Sequence, residues 1–179
     1  RGLLATSVGD IATAAGISKG LLYHYYPAKE DLYYALVEHA IRAACDHMQE
    51  IFALELSSLE KIALIADTMI GSIARDDETA QYFVFMNRFL IAENRAAEAQ
   101  KLVEAAYVPI ALTRQIIADG QEQGHFRKAD PQALALLFWS TINGLCIHKL
   151  ILRDKFVAPP PQILVQMLQP EDATPPQRS

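Results

Sequence analysis

The stretch from residue 7 to residue 17 constrains the fold of this chain more than any other. Ser7 is placed to cap a helix, and Asp10, three residues later, is placed to complete a capping box. Gly16 follows that helix where a left-handed residue commonly ends one, and Ile17 is expected to dock into the hydrophobic angle between this helix and the next. The pattern predicts a short helix that ends in a tight turn.

A second short helix follows the turn directly. Ser18 is placed to begin it, and Pro27 ends it because proline disfavours helical geometry in the residue before it. Two helices joined by a glycine-containing turn form a helix-turn-helix, whose second helix is shaped to enter the major groove of DNA. The pattern therefore predicts a DNA-binding element.

The rest of the chain shows helical periodicity and no strand pattern, so the predicted class is all-α. The predicted helices span Lys29 to about Leu54, Ser57 or Ser58 to about Ile73, Thr79 to Ala92, about Arg95 to Gly120 with a kink or break at Pro109, Pro131 to about Leu152 after the cap Asp130, and Gln162 to Gln169.

Apolar spacing predicts which face of each helix is buried. The long helix from Lys29 carries one such stripe, formed by Leu32, Leu36, Ala40, Ala43, Met48, Ile51 and Phe52. The segment Thr79 to Ala92 is apolar nearly all round, which predicts a central position. Both sides of the helix Pro131 to Leu152 are apolar, so it needs partners on both sides.

Length and composition bound the organisation of the chain. Its 179 residues suffice for one core or two small lobes, and no uninterrupted apolar run reaches the roughly 18 residues of a membrane span. We expect a DNA-binding domain at 1–48, a helical ligand-binding and dimerisation domain at 49–170 and a disordered tail at 171–179. The absence of a signal-peptide pattern and the unpaired Cys45 and Cys146 predict a cytoplasmic protein with buried free thiols.

Charge does not favour DNA binding. The chain holds 16 Lys and Arg against 21 Asp and Glu, a net charge of −5, and its first 40 residues hold only three Lys and Arg against four Asp and Glu. A basic footprint is the usual sign of a nucleic-acid binder. The DNA-binding prediction therefore rests on the geometry of the motif.

Three blocks of sequence resemble the DNA-binding domain of the tetracycline-repressor (TetR) family of transcriptional regulators. They are ATSVGDIA at residues 5–12, AGISKGLLYHYY at 15–26 and KEDL at 29–32. The resemblance implies a homodimer, a small-molecule pocket in the C-terminal lobe and repression that the ligand relieves. Two departures are the stub Arg1 to Leu4 in place of the family's first helix, and Ala28 where a capping residue is common.

The candidate DNA contacts divide into phosphate-binding and base-reading groups. Hydroxyls, ammonium groups and free backbone N–H groups suit phosphates, whereas the exposed face of the second helix suits the major groove. Leu22 and Tyr26 are expected to pack inward. The candidates are Thr6, Ser7, Ser18, Lys19, Gly20, Leu21, Tyr23, His24, Tyr25 and Lys29.

The apolar helices of the C-terminal part carry a surplus of polar side chains, which is typical of a ligand pocket. A satisfied core group or an interface residue explains each of them equally well. The predicted lining is Met69, Phe83, Phe85, Asn87, Arg88, Phe89, Trp139 and Asn143, with Arg88 as the group for an anionic ligand. The sequence calls for no metal or cofactor.

The most economical function is a ligand-responsive repressor that a small molecule releases from a pseudo-palindromic operator. Its dimer seam is predicted in the helices Pro131 to Leu152 and Gln162 to Gln169. One alternative is a helix-turn-helix dimer without an effector. Another is a serine hydrolase, since residues 16–20 match G-x-S-x-G with Ser18 as nucleophile, although that motif requires a preceding strand.

Overall fold

The computed structural model describes residues 7–91 and 97–171. In those residues there are nine α-helices and no strand, which confirms the all-α prediction. The helices are α1 Val8–Ala14, α2 Lys19–Tyr25, α3 Lys29–Ala53, α4 Ser58–Arg75, α5 Glu78–Ile91, α6 Ala97–Ala106, α7 Val108–Glu122, α8 Pro131–Leu152 and α9 Pro161–Gln166. The predicted helix start at Arg95 and the predicted tail from residue 172 lie outside the described residues.

Helix starts follow the local chemistry of the sequence. Ser57 caps α4, where its backbone N–H donates to the Glu60 carboxylate over 2.8 Å and its hydroxyl accepts the Glu60 N–H. Asp130 caps α8 by accepting the N–H of Gln132, and Pro131 occupies the first turn. Since each cap satisfies otherwise unpaired donors, these boundaries agree with the predicted ones to within a residue.

The main core lies where α4, α7 and α8 meet, with α9 packed across α4. The fully buried side chains there include Ile62, Ile65, Ile73, Ile116, Ile117, Phe138 and Ile142. Cys146 also lies in this core, and burial raises the pKa of its thiol to about 11. The prediction of a buried thiol is confirmed for Cys146, while Cys45 is half-buried and donates to the carbonyl oxygen of Ala105 over 3.3 Å.

The buried face of α3 differs from the predicted stripe in its first half. Leu36 and Ala43 are exposed, whereas Val37 and Ile41 are buried. The reason is tertiary: Val37 and Ile41 pack with Leu102 of α6, so α6 decides which side of α3 faces inward.

The predicted central position of α5 is wrong. Ala80 is its only buried residue, and its large apolar side chains are half-buried or exposed. The helix packs on α8 along one side and borders a cavity, so its apolar side chains lie on two separate surfaces instead of in one core.

The segment Pro131–Lys155, which contains α8, is long and apolar enough to cross a membrane by length and composition alone. Six of the α8 residues are buried in the core described above, as expected for a core helix. Its opposite side exposes Leu136, Leu137, Ile147 and Ile151. This exposed side has no partner within the described residues.

Candidate functional site

The first two helices and the start of α3 form the predicted helix-turn-helix. Gly16 has φ +68°, a left-handed conformation that glycine adopts without strain, and the Ile17 N–H donates back to the Ala12 carbonyl over 3.0 Å. A small separate core of Val8, Ala12, Leu22 and Leu32 fixes the angle between the helices. The geometry of the turn is as predicted.

Ile17 does not dock between the helices, contrary to the prediction. Its side chain is 39% exposed, and the small core closes without it. The backbone hydrogen bond at Ile17 fixes the turn, while the side chain remains outside the helix-turn-helix core.

Helix α2 presents most of its surface to solvent. Leu22 is its only buried residue and the following Tyr26 is half-buried, as predicted. The six exposed positions are Lys19, Gly20, Leu21, Tyr23, His24 and Tyr25. Leu21 and Tyr25 are large side chains with exposures of 46% and 69%, so both are accessible to a partner.

The predicted phosphate-binding groups differ in availability. The Ser7 hydroxyl donates to the Asp10 carboxylate over 2.7 Å, so it is engaged within its own capping box. The Ser18 oxygen accepts the Leu21 N–H over 3.1 Å, which leaves its own proton to donate. Thr6 lies outside the described residues.

The two lysines of this surface each lie over an aromatic ring. The Lys19 ammonium nitrogen lies 5.6 Å from the ring centroid of Tyr23, and the Lys29 ammonium nitrogen lies 5.2 Å from that of Tyr33. Cation–π contact holds a lysine side chain in place without neutralising its charge. The ammonium group of Lys19 therefore keeps a charge that a phosphate can use.

The surroundings of Ser18 do not form a nucleophile elbow. An elbow places the serine on a sharp turn between a strand and a helix, and here α1 and the Gly16 turn precede Ser18. Its oxygen caps α2 instead. The match to G-x-S-x-G therefore arises from the turn and cap of the helix-turn-helix.

Helices α3 to α8 line a partly open cavity of about 320 Å³. Most of its wall is aliphatic, aromatic or thioether. The lining residues are Ala44, His47, Met48, Ile51, Ile65, Thr68, Met69, Phe83, Met86, Asn87, Leu90, Val103, Ala106, Tyr107, Pro109, Ile110, Trp139 and Asn143. The volume is at the lower end of the range found for small-molecule sites.

Two asparagines place a connected polar group in the cavity wall. The Asn87 amide of α5 donates to the Asn143 oxygen of α8 over 2.8 Å, and Asn143 in turn donates to the Trp139 carbonyl over 3.0 Å. Each carboxamide carries two donor hydrogens and one acceptor oxygen. The pair is thus fixed in orientation and retains hydrogen-bonding capacity toward the cavity.

Five of the eight residues predicted to line a pocket lie in this wall: Met69, Phe83, Asn87, Trp139 and Asn143. The other three lie elsewhere on α5. Phe85 and Phe89 pack with Tyr33 and Tyr34 of α3, and Arg88 is exposed. Because α5 is apolar on several sides, its sequence does not reveal which side borders the cavity.

The sequence-based prediction missed the walls contributed by α3 and by the junction of α6 and α7. His47, Met48 and Ile51 come from α3, and Tyr107 and Pro109 from the junction. The break at Pro109 was the available signal, since the end of a helix leaves space beside its neighbours.

Residues 1–36 match the family model described as "Bacterial regulatory proteins, tetR family". This segment is therefore similar to the DNA-binding domain of TetR-family regulators. The HTH-type transcriptional repressor KstR2 of Rhodococcus jostii is 29% identical over 142 residues, which cover 77% of this chain and 66% of that repressor. The chain thus spans slightly less than two thirds of the length of that TetR-type relative.

Solved structures agree with the TetR fold over nearly the whole chain. The MbdR regulator from Azoarcus sp. CIB has a TM-score of 0.75 and 20% identity, covering 93% of this chain and 88% of that one. FadR from Bacillus subtilis, solved in complex with stearoyl-CoA, has a TM-score of 0.72, 20% identity and the same coverage. At such identities the likeness establishes the arrangement of helices.

Proposed function

We propose that this chain is a ligand-responsive transcriptional repressor, which binds a pseudo-palindromic DNA operator as a homodimer and leaves it when a small molecule fills the cavity. The match of residues 1–36 to the tetR family model and the relatives named as repressors or regulators support the DNA-binding part. The cavity supports the ligand-responsive part. A DNA operator implies action in the bacterial cytoplasm.

One observation carries the proposal: a single helix, α3, contacts both sites. Its first turns contribute Leu32 to the core of the helix-turn-helix, and its last turns contribute Met48 and Ile51 to the cavity wall. The helix is continuous from Lys29 to Ala53. A ligand that displaces the end of α3 therefore also displaces the DNA-binding helices.

The ligand acts only through its difference in affinity for the two conformations. A conformation with the cavity filled would hold the two α2 helices of a dimer at a separation that no longer matches one helical turn of DNA, about 34–36 Å. The proposed lining side chains for that ligand are Met69, Phe83, Asn87, Trp139 and Asn143.

In the proposed DNA complex, Ser18, Lys19 and Lys29 bind phosphates, and the exposed face of α2 reads bases. Leu21 suits the methyl group of thymine, and Tyr23, His24 and Tyr25 supply the remaining contacts. Gly20 allows close approach of the backbone. Ser7 and Thr6 remain candidates at the start of α1.

The proposed dimer seam is the exposed side of α8, together with α9. Leu136, Ser140, Gly144, Ile147 and Ile151 recur every three or four residues, so they share one helix face. The small residues in the middle permit close helix contact, and the flanking side chains supply apolar area. A second copy of the chain would cover this face in a closed, symmetric dimer.

The test is DNA selection followed by binding measurements. A randomised duplex library enriched on the full chain is expected to yield a pseudo-palindromic site. Lys19→Ala and Tyr23→Ala should each abolish retention of that site in a gel shift while the dimer mass stays unchanged. Lys128→Ala and Tyr82→Ala are matched controls, because both side chains are exposed outside the helix-turn-helix and should not affect retention.

Salt dependence gives a second measure. Two lysines per subunit, Lys19 and Lys29, make four phosphate contacts per dimer, so the logarithm of affinity should fall with the logarithm of salt concentration with a slope of about −3.6 or steeper. Full retention by both variants, or a flat response to salt, would contradict the proposal.

A DNA-binding dimer without an effector is the second candidate. The cavity argues against it, because an apolar concavity with a few fixed polar groups is the usual form of a small-molecule site.

A further inference from the structure

The charge character of the cavity wall limits which ligands the cavity can bind. Among the described residues, the lining contains no Lys, Arg, Asp or Glu, and His47 is its only titratable side chain besides Tyr107. His47 lies 3.7 Å from Glu50 and is half-exposed, so it stands at the rim rather than in the interior. An ion buried in such a wall would lose its hydration and gain no partner of opposite charge.

Arg88 does not change this conclusion. It is the basic residue of α5 that the sequence offered for an anion, but its side chain is exposed and absent from the wall. Lys149 is engaged elsewhere, 3.5 Å from Asp77. The described part of the chain therefore directs no cation into the cavity.

The Asn87–Asn143 pair determines which polar group of a ligand the cavity can bind. Its internal hydrogen bonds use one donor of each amide and the oxygen of Asn143. The Asn87 oxygen and a second N–H on each residue are left to bind a ligand, which gives both an acceptor and donors in one place. Such a set matches a neutral group that itself donates and accepts, such as a hydroxyl or a carboxamide.

The apolar wall determines what the remaining part of the ligand can be. Met48, Met69 and Met86 surround the space together with Phe83 and Trp139. Methionine side chains are flexible and polarisable, and they adapt to chains of irregular shape. The wall thus suits an extended or compact hydrocarbon portion attached to the polar group.

We infer that the effector is an uncharged amphiphile, with a hydrocarbon portion in the methionine-lined space and one neutral hydrogen-bonding group on Asn87 and Asn143. This inference rests on the proposed function and specifies the ligand class of its cavity. It excludes carboxylates, quaternary ammonium compounds and phosphate-bearing thioesters as effectors of this chain.

The test compares probes that share one hydrocarbon chain and differ in the head group. Decanamide, decanoate, decyltrimethylammonium and decanoyl-coenzyme A are titrated into the full-length chain by isothermal calorimetry at neutral pH. Decanamide should bind at least about tenfold more tightly than each charged probe, because only the amide enters without losing ionic hydration.

Substitutions of Asn87 and Asn143 then test whether these residues bind the head group of decanamide. Asn87→Leu and Asn143→Leu should each weaken decanamide binding by about tenfold. Gln81→Leu, which removes an exposed carboxamide of α5 outside the cavity wall, should not. Circular dichroism checks that the leucine variants fold, and Asn87→Ala, which adds no bulk, provides a second variant with the same expected loss.

The inference would be overturned by a charged probe that binds as tightly as decanamide, or by no binding of any of the four probes. Unchanged decanamide affinity in both folded Asn87 variants would do the same. Failure of the probe-free protein to bind DNA would instead contradict the proposed function, and it leaves the order of probe affinities unaffected. The two failures are therefore distinguishable.

Discussion

Trp139 of α8 donates its indole N–H to the hydroxyl oxygen of Thr113 on α7 over 2.9 Å, at a buried point between the two helices. The Thr113 hydroxyl donates in turn to the Pro109 carbonyl over 2.8 Å. Trp139 and Pro109 both line the cavity. One threonine, itself outside the lining, therefore connects two parts of the cavity wall.

Replacing Thr113 with valine keeps the side-chain shape and removes the hydroxyl. The buried indole N–H then lacks a partner, which should lower the free energy of unfolding by about 1–3 kcal/mol. Urea denaturation followed by fluorescence measures this directly, because Trp139 is the only tryptophan in the sequence. Thr113→Ser keeps the hydroxyl and serves as the control. A valine variant at least as stable as the serine variant would show that the hydrogen bond contributes nothing.

Gly120 lies against the ring of Phe126 and cannot accept a side chain. A Cβ atom there would be 2.3 Å from one ring carbon of Phe126 and 2.9 Å from the Cβ of Ser58. Gly120→Ala should therefore destabilise the fold by about 1–3 kcal/mol. Gly71→Ala is the matched control, since it also lies within a helix but meets no atom within 4 Å, and it should stabilise by up to about 1 kcal/mol. Equal stabilities of the two variants in urea would refute the packing argument.

Local chemistry predicted the helix-turn-helix and most helix boundaries from sequence. Ser7, Ser18 and Asp130 act as caps within a few residues of their own positions, so no distant contact is needed to recognise them. The positive φ of Gly16 follows from the same local reasoning.

The features that the sequence did not predict depend on packing between residues far apart in the chain. Leu102 of α6 decides that Val37 and Ile41 face inward on α3, and nothing near these residues in sequence reveals it. On α5, Phe83 faces the cavity while Phe85 faces α3, although both belong to one continuous apolar run. A run without periodicity carries no information about direction, so three of the eight predicted lining residues lay elsewhere.

Acid should remove a contribution that Glu60 makes to the start of α4. Hydrogen bonds from the Ser57 side chain and then its backbone lower the pKa of Glu60 below the ordinary 4.5. Because the folded-state pKa is the lower one, this stabilisation is complete above about pH 4.5 and is lost as the pH falls through the folded value. Glu60→Gln should therefore be less stable than the parent at pH 7, and the difference should shrink toward pH 3 in urea denaturation.

Ser57→Ala supplies the control for Glu60, since it removes the hydroxyl that causes the largest part of the pKa shift. In that background, Glu60→Gln should change stability with a weaker dependence on pH. A stability difference that stays constant between pH 7 and pH 3 in the parent background would exclude the linkage.

The exposed side of α8 makes the proposed dimer testable with one substitution. Ile147 is 47% exposed in the single chain, in the middle of the apolar face. Ile147→Glu would bury a carboxylate without a partner in a symmetric seam, where two copies would also repel each other. Light scattering coupled to gel filtration should then give the mass of one chain, and operator binding should fall because both half-sites need a linked pair of α2 helices. Leu64→Glu is the control, because Leu64 is 37% exposed on α4, which is not one of the two proposed seam helices, and should leave a dimer. If Ile147→Glu keeps the parent mass while Leu64→Glu loses it, the seam lies on another face of the protein.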